Sequence, residues 1–363
     1  MTLTDEQYEL QAITRDVLQP YAPGGGSWSA EGLSAEDSSA IWKLLTEQLG
    51  IGGLGTAERD GGVGGTLVDQ LVVMEELGRA LVHVPFLASS VVSAHVLQEG
   101  SNAFARELQV AISAGRVVAT TLNPADTTVQ TAGPEEAAVS GHLDMVLDAD
   151  LADWILVPSG PDDPETLWAI DTRKRGVTIR ARDGIDRGWS VQNVDLRGAA
   201  ARRVRLSVSA HTALKDAVAL RDLAAAAEAV GIAQGALSHT LMYVKQRRQF
   251  GQPIGSFQAV QHSCADMLVS VESSRVLIKE AAVAFPSSTG HRELLASTSA
   301  TYAMDAAQAV CGAAIHLHGG IGFTWEHWAH RYFKRVAALR SMTTPRTRHH
   351  CRIVDALLGG AGS

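Results

Sequence analysis

Apolar positions recur along this chain at two periods, and the period changes twice. Up to about residue 110 the spacing is helical. Ile41, Leu44, Leu45 and Leu49 share one face, as do Leu67, Leu71, Val72, Met74, Leu77 and Leu81. Between these stripes, residues 51–65 carry seven glycines and form a loop. Near Val117 the pattern shortens to β-branched runs broken by Asp, Gly and Pro: Val117–Leu122, Thr128–Thr131, Trp154–Val157, Val177–Arg180, Val191–Val194 and Val204–Leu206. Such spacing predicts a small antiparallel barrel or sandwich. From Leu214 the helical period returns. Leu223, Val230, Leu237 and Val244 are heptad-spaced, with Ala227, Gln234 and Leu241 between them, on one long helix. Two more long helices are expected over about 256–284 and 292–316, and the Gly-rich end 359–363 frays. The expected class is α+β multidomain, divided as 1–114, 115–208 and 209–363.

Composition narrows the function. The 363 residues are 46% hydrophobic and 19% charged, enough apolar material for a large core. The formal net charge of −8 argues against a nucleic-acid binder. Three dispersed cysteines, Cys264, Cys311 and Cys351, fit a reduced interior, with no disulfide framework and no CxxC zinc site. The acidic start Thr2–Glu6 lacks the apolar stretch of a signal peptide, so a cytoplasmic protein is expected. The uncharged stretches 80–98 and 306–325 hold His, Ser, Gln and Gly, and read as buried helices rather than membrane spans. No strand–GxGxxG–helix unit is present, which counts against a Rossmann domain. His316-x-His318, His327-x-x-His330 and His349-His350 lack the convergent partners of a metal site, and none is expected.

Two segments carry candidate chemistry. Arg247-Arg248-Gln249-Phe250-Gly251-Gln252-Pro253-Ile254-Gly255-Ser256-Phe257-Gln258 puts guanidinium groups at a helix end, then a turn, then a new helix start. That is either a capped hairpin or a phosphate clamp, since a planar fork and free helix N–H groups both suit pyrophosphate oxygens. His316-Leu317-His318-Gly319-Gly320-Ile321-Gly322-Phe323-Thr324-Trp325-Glu326-His327 is either a helix cap or a place where the backbone approaches a dinucleotide closely.

Together, in this order and on this helical–β–helical layout, the two segments resemble the acyl-CoA dehydrogenase family, in its bacterial branch. Glu58-Arg59-Asp60-Gly61-Gly62-Val63-Gly64 and Glu75-Glu76-Leu77-Gly78-Arg79 are similar to two further family segments. The resemblance covers nearly the whole chain, most strongly 223–335. It implies an N-terminal helical domain, a central antiparallel β-barrel domain and a C-terminal four-helix bundle. It also implies FAD at a subunit interface, an acyl-CoA substrate and electron-transferring flavoprotein as acceptor. Arg247 and Phe250 map onto contacts to the ADP half of a partner subunit's flavin. Phe257 and Gln258 map onto a further adenosine-side contact. Gly319 and Gly320 map onto the turn against the pyrophosphate, and His316 stands where the family usually has glutamine.

Two departures concern the reacting end. The loop that holds the flavin ring corresponds to Thr120–Asp126. Thr121 and Pro124 are roughly in place, but the family's Gly-Ser-Asp is not. The family's proton-abstracting glutamate falls at Thr343, or in a minority of members at Arg221, and neither is a base at neutral pH. One carboxylate remains at a plausible face of that helix. Glu228 is two turns beyond Arg221, ~10 Å along the axis, in an alanine-rich stretch where desolvation raises a carboxyl pKa. It is a candidate base, or else a buried glutamate paired with an arginine; Asp222 is a weaker candidate.

Several functions remain open. The chain is a self-sufficient homo-oligomeric dehydrogenase using Glu228, or a degenerate subunit that lends its ADP-side clamp to a catalytic paralogue. The family's α2β2 assemblies, some acting on sterol side chains, imply the second, which the selective loss favours. Other flavin chemistry on the same fold and a purely structural partner are further alternatives.

Overall fold

A computed structural model describes residues 3–29, 32–121, 127–159, 163, 165–286 and 289–359. The order is helical, then β, then helical. The first part comprises α1 (Asp5–Leu18), α2 (Ala35–Leu49), α3 (Leu67–Ala80), a buried π-helical stretch Phe86–Ser93, α4 (Ala94–Gln98) and α5 (Ala103–Ser113). Local chemistry sets several of these ends. Thr4 and Gln7 form a capping box on α1, Ser34 caps α2, and Gly50 closes α2 in the left-handed conformation.

The strands are β1 (Ala119–Thr121), β2 (Thr127–Thr131), β3 (Glu136–Leu147), β4 (Trp154–Pro158), β5 (Leu167–Asp171), β6 (Val177–Ala181) and β7 (Val191–Val204). The expected closed antiparallel barrel is corrected. The sheet is open and mixed, ordered β1-β4-β5-β7-β3-β2, with β6 also on β7 and with β1 parallel to β4. The reason lies in β7. Its first half pairs with β6 and its second half with β5, while β3 follows it on the other edge throughout. Register shifts at Val139/Gly141 and Leu143/Val146 bend β3. The ribbon therefore splits toward two neighbours, and the outer edges of β1 and β2 have no strand partner among the described residues.

The C-terminal part holds three long helices, α6 (Ala210–Gln246), α7 (Gln258–Ala284) and α8 (Thr289–His318). A two-residue-strand hairpin, β8 (Arg248–Gln249) and β9 (Gln252–Pro253), joins the first two. Two shorter helices follow: α9 (Ala329–Met342), against α6 and α8, and α10 (Arg346–Gly359), against α8. Consecutive long helices alternate direction, so α6 and α8 end on the same side.

The helices at both ends of the chain share one apolar core, and the strands bury a second. Glycine makes the crossing of α3 on α6 possible. A Cβ at Gly78 would sit 2.2 Å from the Glu228 carbonyl oxygen, and one at Gly231 would sit 1.8 Å from that of Glu75. That close approach fixes Glu228 beneath the N-terminal helices. No helix among the described residues is long and apolar enough to cross a membrane, and within the stretch 80–98 residues Phe86–Gln98 form a largely buried π- and α-helical segment.

Candidate functional site

The residues singled out by sequence fall into three places. The first is the end of the bundle where α6 and α8 stop. Arg247 leaves the helix with extended backbone, its N–H still bonded to the Tyr243 carbonyl (2.8 Å). The β8–β9 hairpin then turns through Phe250 (φ +50) and Gly251 (φ +81). Both central residues have positive φ, as a tight hairpin of this twist requires. Glycine does this freely; a phenylalanine does not. Phe250 is nonetheless 91% exposed, and among the described residues its ring meets only that of Phe257, so packing does little to offset the strain. Strain held at an exposed aromatic is a mark of a functional position. The Arg247 guanidinium is exposed and has no hydrogen-bond or ion-pair partner among the described residues. Phe257, half-buried, meets Phe250 edge-on at 6.2 Å, and exposed Gln258 opens α7.

The glycine turn lies on the same end. Tyr243 near the end of α6 stacks on His318 at the end of α8, with centroids 4.2 Å apart. Gly319 (φ +62) then breaks the helix. A side chain at Gly319 or Gly320 would meet nothing of this chain within 4 Å, so the turn presents bare backbone. Ile321 and Phe323 beside it are 50% and 76% exposed. His316 is exposed while His318 is buried, so the two imidazoles point apart. Beneath the turn His239, His318 and His327 pack with Trp328 and Tyr332. Burial holds all three imidazoles neutral, with His239 and His327 at about 4. No group of residues suited to a metal ion occurs among the described residues.

The second place is the seam between strands and helices. Glu228 lies ~27 Å along α6 from its end, far from the β8–β9 hairpin. Its Oε1 accepts from Arg335 Nη1 (3.1 Å). Arg335 is fully buried, also pairs through Nε with Asp186 and donates from Nη2 to the Gly188 carbonyl (3.0 Å). Trp189 lies against this guanidinium and against His83, which is bonded to buried Asp148 (2.6 Å). Burial alone would raise Asp186, but Arg335 outweighs it and holds this carboxyl below its usual range. Burial pushes Glu228 upward despite the arginine. One guanidinium between two carboxylates thus leaves Glu228 with the raised proton affinity. This is the arginine-paired arrangement that the sequence left open as the alternative to a base. Thr121, half-buried, shares a hydrogen bond with Ser93 (Oγ1–Oγ 2.8 Å); its neighbours 122–126, including Pro124, lie outside the described residues.

The third place is where the two possible base positions meet. Arg221 Nη2 is 3.5 Å from Thr344 Oγ1, next to Thr343. Between them lies Asp222, wholly buried. Its Oδ1 accepts from Arg221 (2.9 Å) and from the Thr344 N–H (3.1 Å). The carboxylate there is already held by an arginine and the backbone. One cavity, of about 20 Å³, lies between α3, α6 and α7, and another, of about 70 Å³, lies beside Thr343–Thr344. These take single waters or a few, not a ring system.

Sequence reasoning did not find Arg335, Asp186, His83 or Asp148. Arg335 stands 107 positions from Glu228 and 149 from Asp186, and no local pattern joins them.

Known proteins resemble this chain as follows. Residues 4–116 match the family model "Acyl-CoA dehydrogenase, N-terminal domain", and 213–343 match "Acyl-CoA dehydrogenase, C-terminal domain". Acyl-CoA dehydrogenase IpdE2 of Mycolicibacterium smegmatis is 34% identical over 308 residues, 84% of each chain. Acyl-CoA dehydrogenase IpdE2 of Mycobacterium tuberculosis is 31% identical over 339 residues, 93% of this chain and 92% of that one. Among solved structures, a variant of the Tcur3481-Tcur3483 steroid ACAD superposes with a TM-score of 0.86, at 28% identity and full coverage of both chains. The ChsE4-ChsE5 complex from Mycobacterium tuberculosis gives 0.85 at 24% identity over 98% of both, a likeness of fold alone.

Proposed function

Because the chain belongs to the acyl-CoA dehydrogenase family, we propose that it is the flavin-clamping subunit of a hetero-oligomeric acyl-CoA dehydrogenase, with the proton-abstracting base on a paralogous partner. One observation carries this reading. The two positions from which a base would act, Arg221 and Thr343–Thr344, stand together and hold no carboxylate free of arginine, while the clamp is bare on the surface. A chain that served only its own site would have little reason to keep the second without the first.

The residues fit FAD on its ADP side. Arg247 offers a planar fork to pyrophosphate oxygens. Phe250 and Phe257 offer apolar faces to an adenosine, with Gln258 at the start of α7 and His316 as further donors. Gly319 and Gly320 let the backbone approach the diphosphate. When bound, FAD supplies the hydride acceptor for α,β-dehydrogenation of an acyl-CoA thioester. The likeness to a steroid ACAD supports a sterol side-chain thioester as substrate, alongside fatty acyl chains. The paired name of the Tcur3481-Tcur3483 steroid ACAD supports a two-component assembly, of α2β2 form in this reading. Electron-transferring flavoprotein is the acceptor and the cytoplasm the compartment in the same reading.

In this account Glu228 is the counter-ion of Arg335, and Thr121 ties β1 to the π-helical stretch. The experiment is Glu228→Gln in the co-purified assembly. The neutral amide still accepts from Arg335, so turnover with an acyl-CoA is expected to stay within about threefold of the parent. Loss of general-base catalysis costs about 10²–10⁴-fold; a fall of that size, with flavin content unchanged, makes Glu228 the base and the chain self-sufficient.

A further inference from the structure

The hairpin with Arg247 and the turn with Gly319 and Gly320 stand on the ends of two different helices, α6 and α8. No hydrogen bond, ion pair or ring contact joins residues 247–258 to residues 319–323 among the described residues. One pair of rings joins the two helix ends instead. Tyr243, half-buried one turn before Arg247, stacks on His318 at 4.2 Å, with 27° between the ring planes. The Tyr243 carbonyl accepts the Arg247 N–H, and the Arg247 carbonyl accepts the Ile254 N–H (2.8 Å), so the base of the hairpin hangs from Tyr243.

His318 is the residue before Gly319, and it is held on several sides. A carbonyl only accepts, so Nδ1 carries the proton and donates to the Ala314 oxygen (2.7 Å). The ring meets Trp328 edge-on at 4.8 Å and His327 at 4.9 Å. Trp328 lies in turn on His239 at 4.9 Å, four residues before Tyr243 on the same face of α6. A Cβ at Gly322 would sit 2.8 Å from the Ile315 carbonyl oxygen and 3.2 Å from His318 Cβ, so glycine lets the turn fold back over the end of α8. The bundle thus orders the rings behind the site, while Arg247 and the two glycines in front of them stay exposed.

We propose, on the reading of these segments as a flavin clamp, that Tyr243 and His318 are its positioning residues. Their stack holds Arg247 and the Gly319–Gly320 backbone in the relation that lets both reach one diphosphate. Without it the two helix ends sample other spacings, and affinity falls with the fraction of time spent in the competent one. A single aromatic pair bounds that loss at about tenfold.

The test is fluorescence titration of FAD into the stripped assembly, with urea unfolding of each variant alongside. Tyr243→Leu is expected to weaken FAD binding about five- to tenfold. His318→Leu breaks the stack from the other side and is expected to give the same loss. Tyr243→Phe keeps the ring and is expected to bind like the parent. Beside Arg247→Ala, Tyr243→Leu is expected to cost about twofold or less, because no fork remains to be positioned. A role in stability alone gives neither the rescue by phenylalanine nor the non-additivity. Parental affinity in Tyr243→Leu, equal losses in Tyr243→Phe and Tyr243→Leu, or the full loss persisting beside Arg247→Ala would overturn the proposal and leave the clamp standing. Parental affinity in Arg247→Ala alone would overturn both.

Discussion

Arg335→Ala is expected to destabilise the chain by about 3–5 kcal/mol, because removing one partner of a buried ion cluster leaves the others uncompensated. Here two carboxylates remain, Glu228 and Asp186, at a seam that water does not reach. The loss is to be read from urea unfolding of the purified chain. The pH dependence gives a signature that a lost packing contact does not. Without the guanidinium both folded carboxyls have pKa values above their unfolded ones. The native state then binds more protons than the unfolded state, and stability falls as pH rises from about 4 toward neutrality. In the parent, Asp186 is held low, so its contribution is present above about pH 4 and lost as pH falls further. Replacing Arg335, Glu228 and Asp186 together with Met or Leu is expected to recover most of the loss, since a buried ion cluster and an apolar one of similar volume differ little in stability. A variant at Arg335 that unfolds like the parent would mean that the seam is hydrated.

The second large effect is on the cofactor. Arg247→Ala, in the assembly with its partner, is expected to weaken FAD binding by about 1–3 kcal/mol, roughly 5–150-fold. The chain's own stability should not change, because the Arg247 side chain is exposed and makes no polar contact among the described residues. Arg247→Lys is expected to restore only part of the affinity, as an ammonium lacks the fork. Flavin fluorescence titration of the stripped assembly measures it. Unchanged affinity in the alanine variant would make the chain a structural partner without flavin contact.

What could be read in the sequence and what could not follow from range. The heptad seam of α6 and the turn residues after it are local, and so the long helices and the turns that end α6 and α8 were legible. α6 began four residues before Leu214 and α7 two after Ser256, ordinary fraying of a pattern at its ends. β3 was not legible, since Gly141, Asp144 and exposed His142 interrupt its alternation and pairing with β7 sustains it. β7 reads as two short runs because Asp195–Arg203 is rich in Ala and Arg. Only the ladders on both sides make it one strand, and that double pairing opened the expected barrel. The helices α9 and α10 were missed among charged residues with few apolar positions. Glu228 was found as a desolvated carboxylate, correctly buried. Its partner could not be found, because α9 and the β6–β7 connection reach it only in the fold.

The most direct test of the central claim is flavin per chain, by visible absorption, for this protein purified alone and after co-expression with a paralogous acyl-CoA dehydrogenase subunit. The account predicts colourless protein alone and about half a flavin per chain in a symmetric α2β2 assembly. Stoichiometric FAD on the chain alone, bleached by an acyl-CoA, would contradict it.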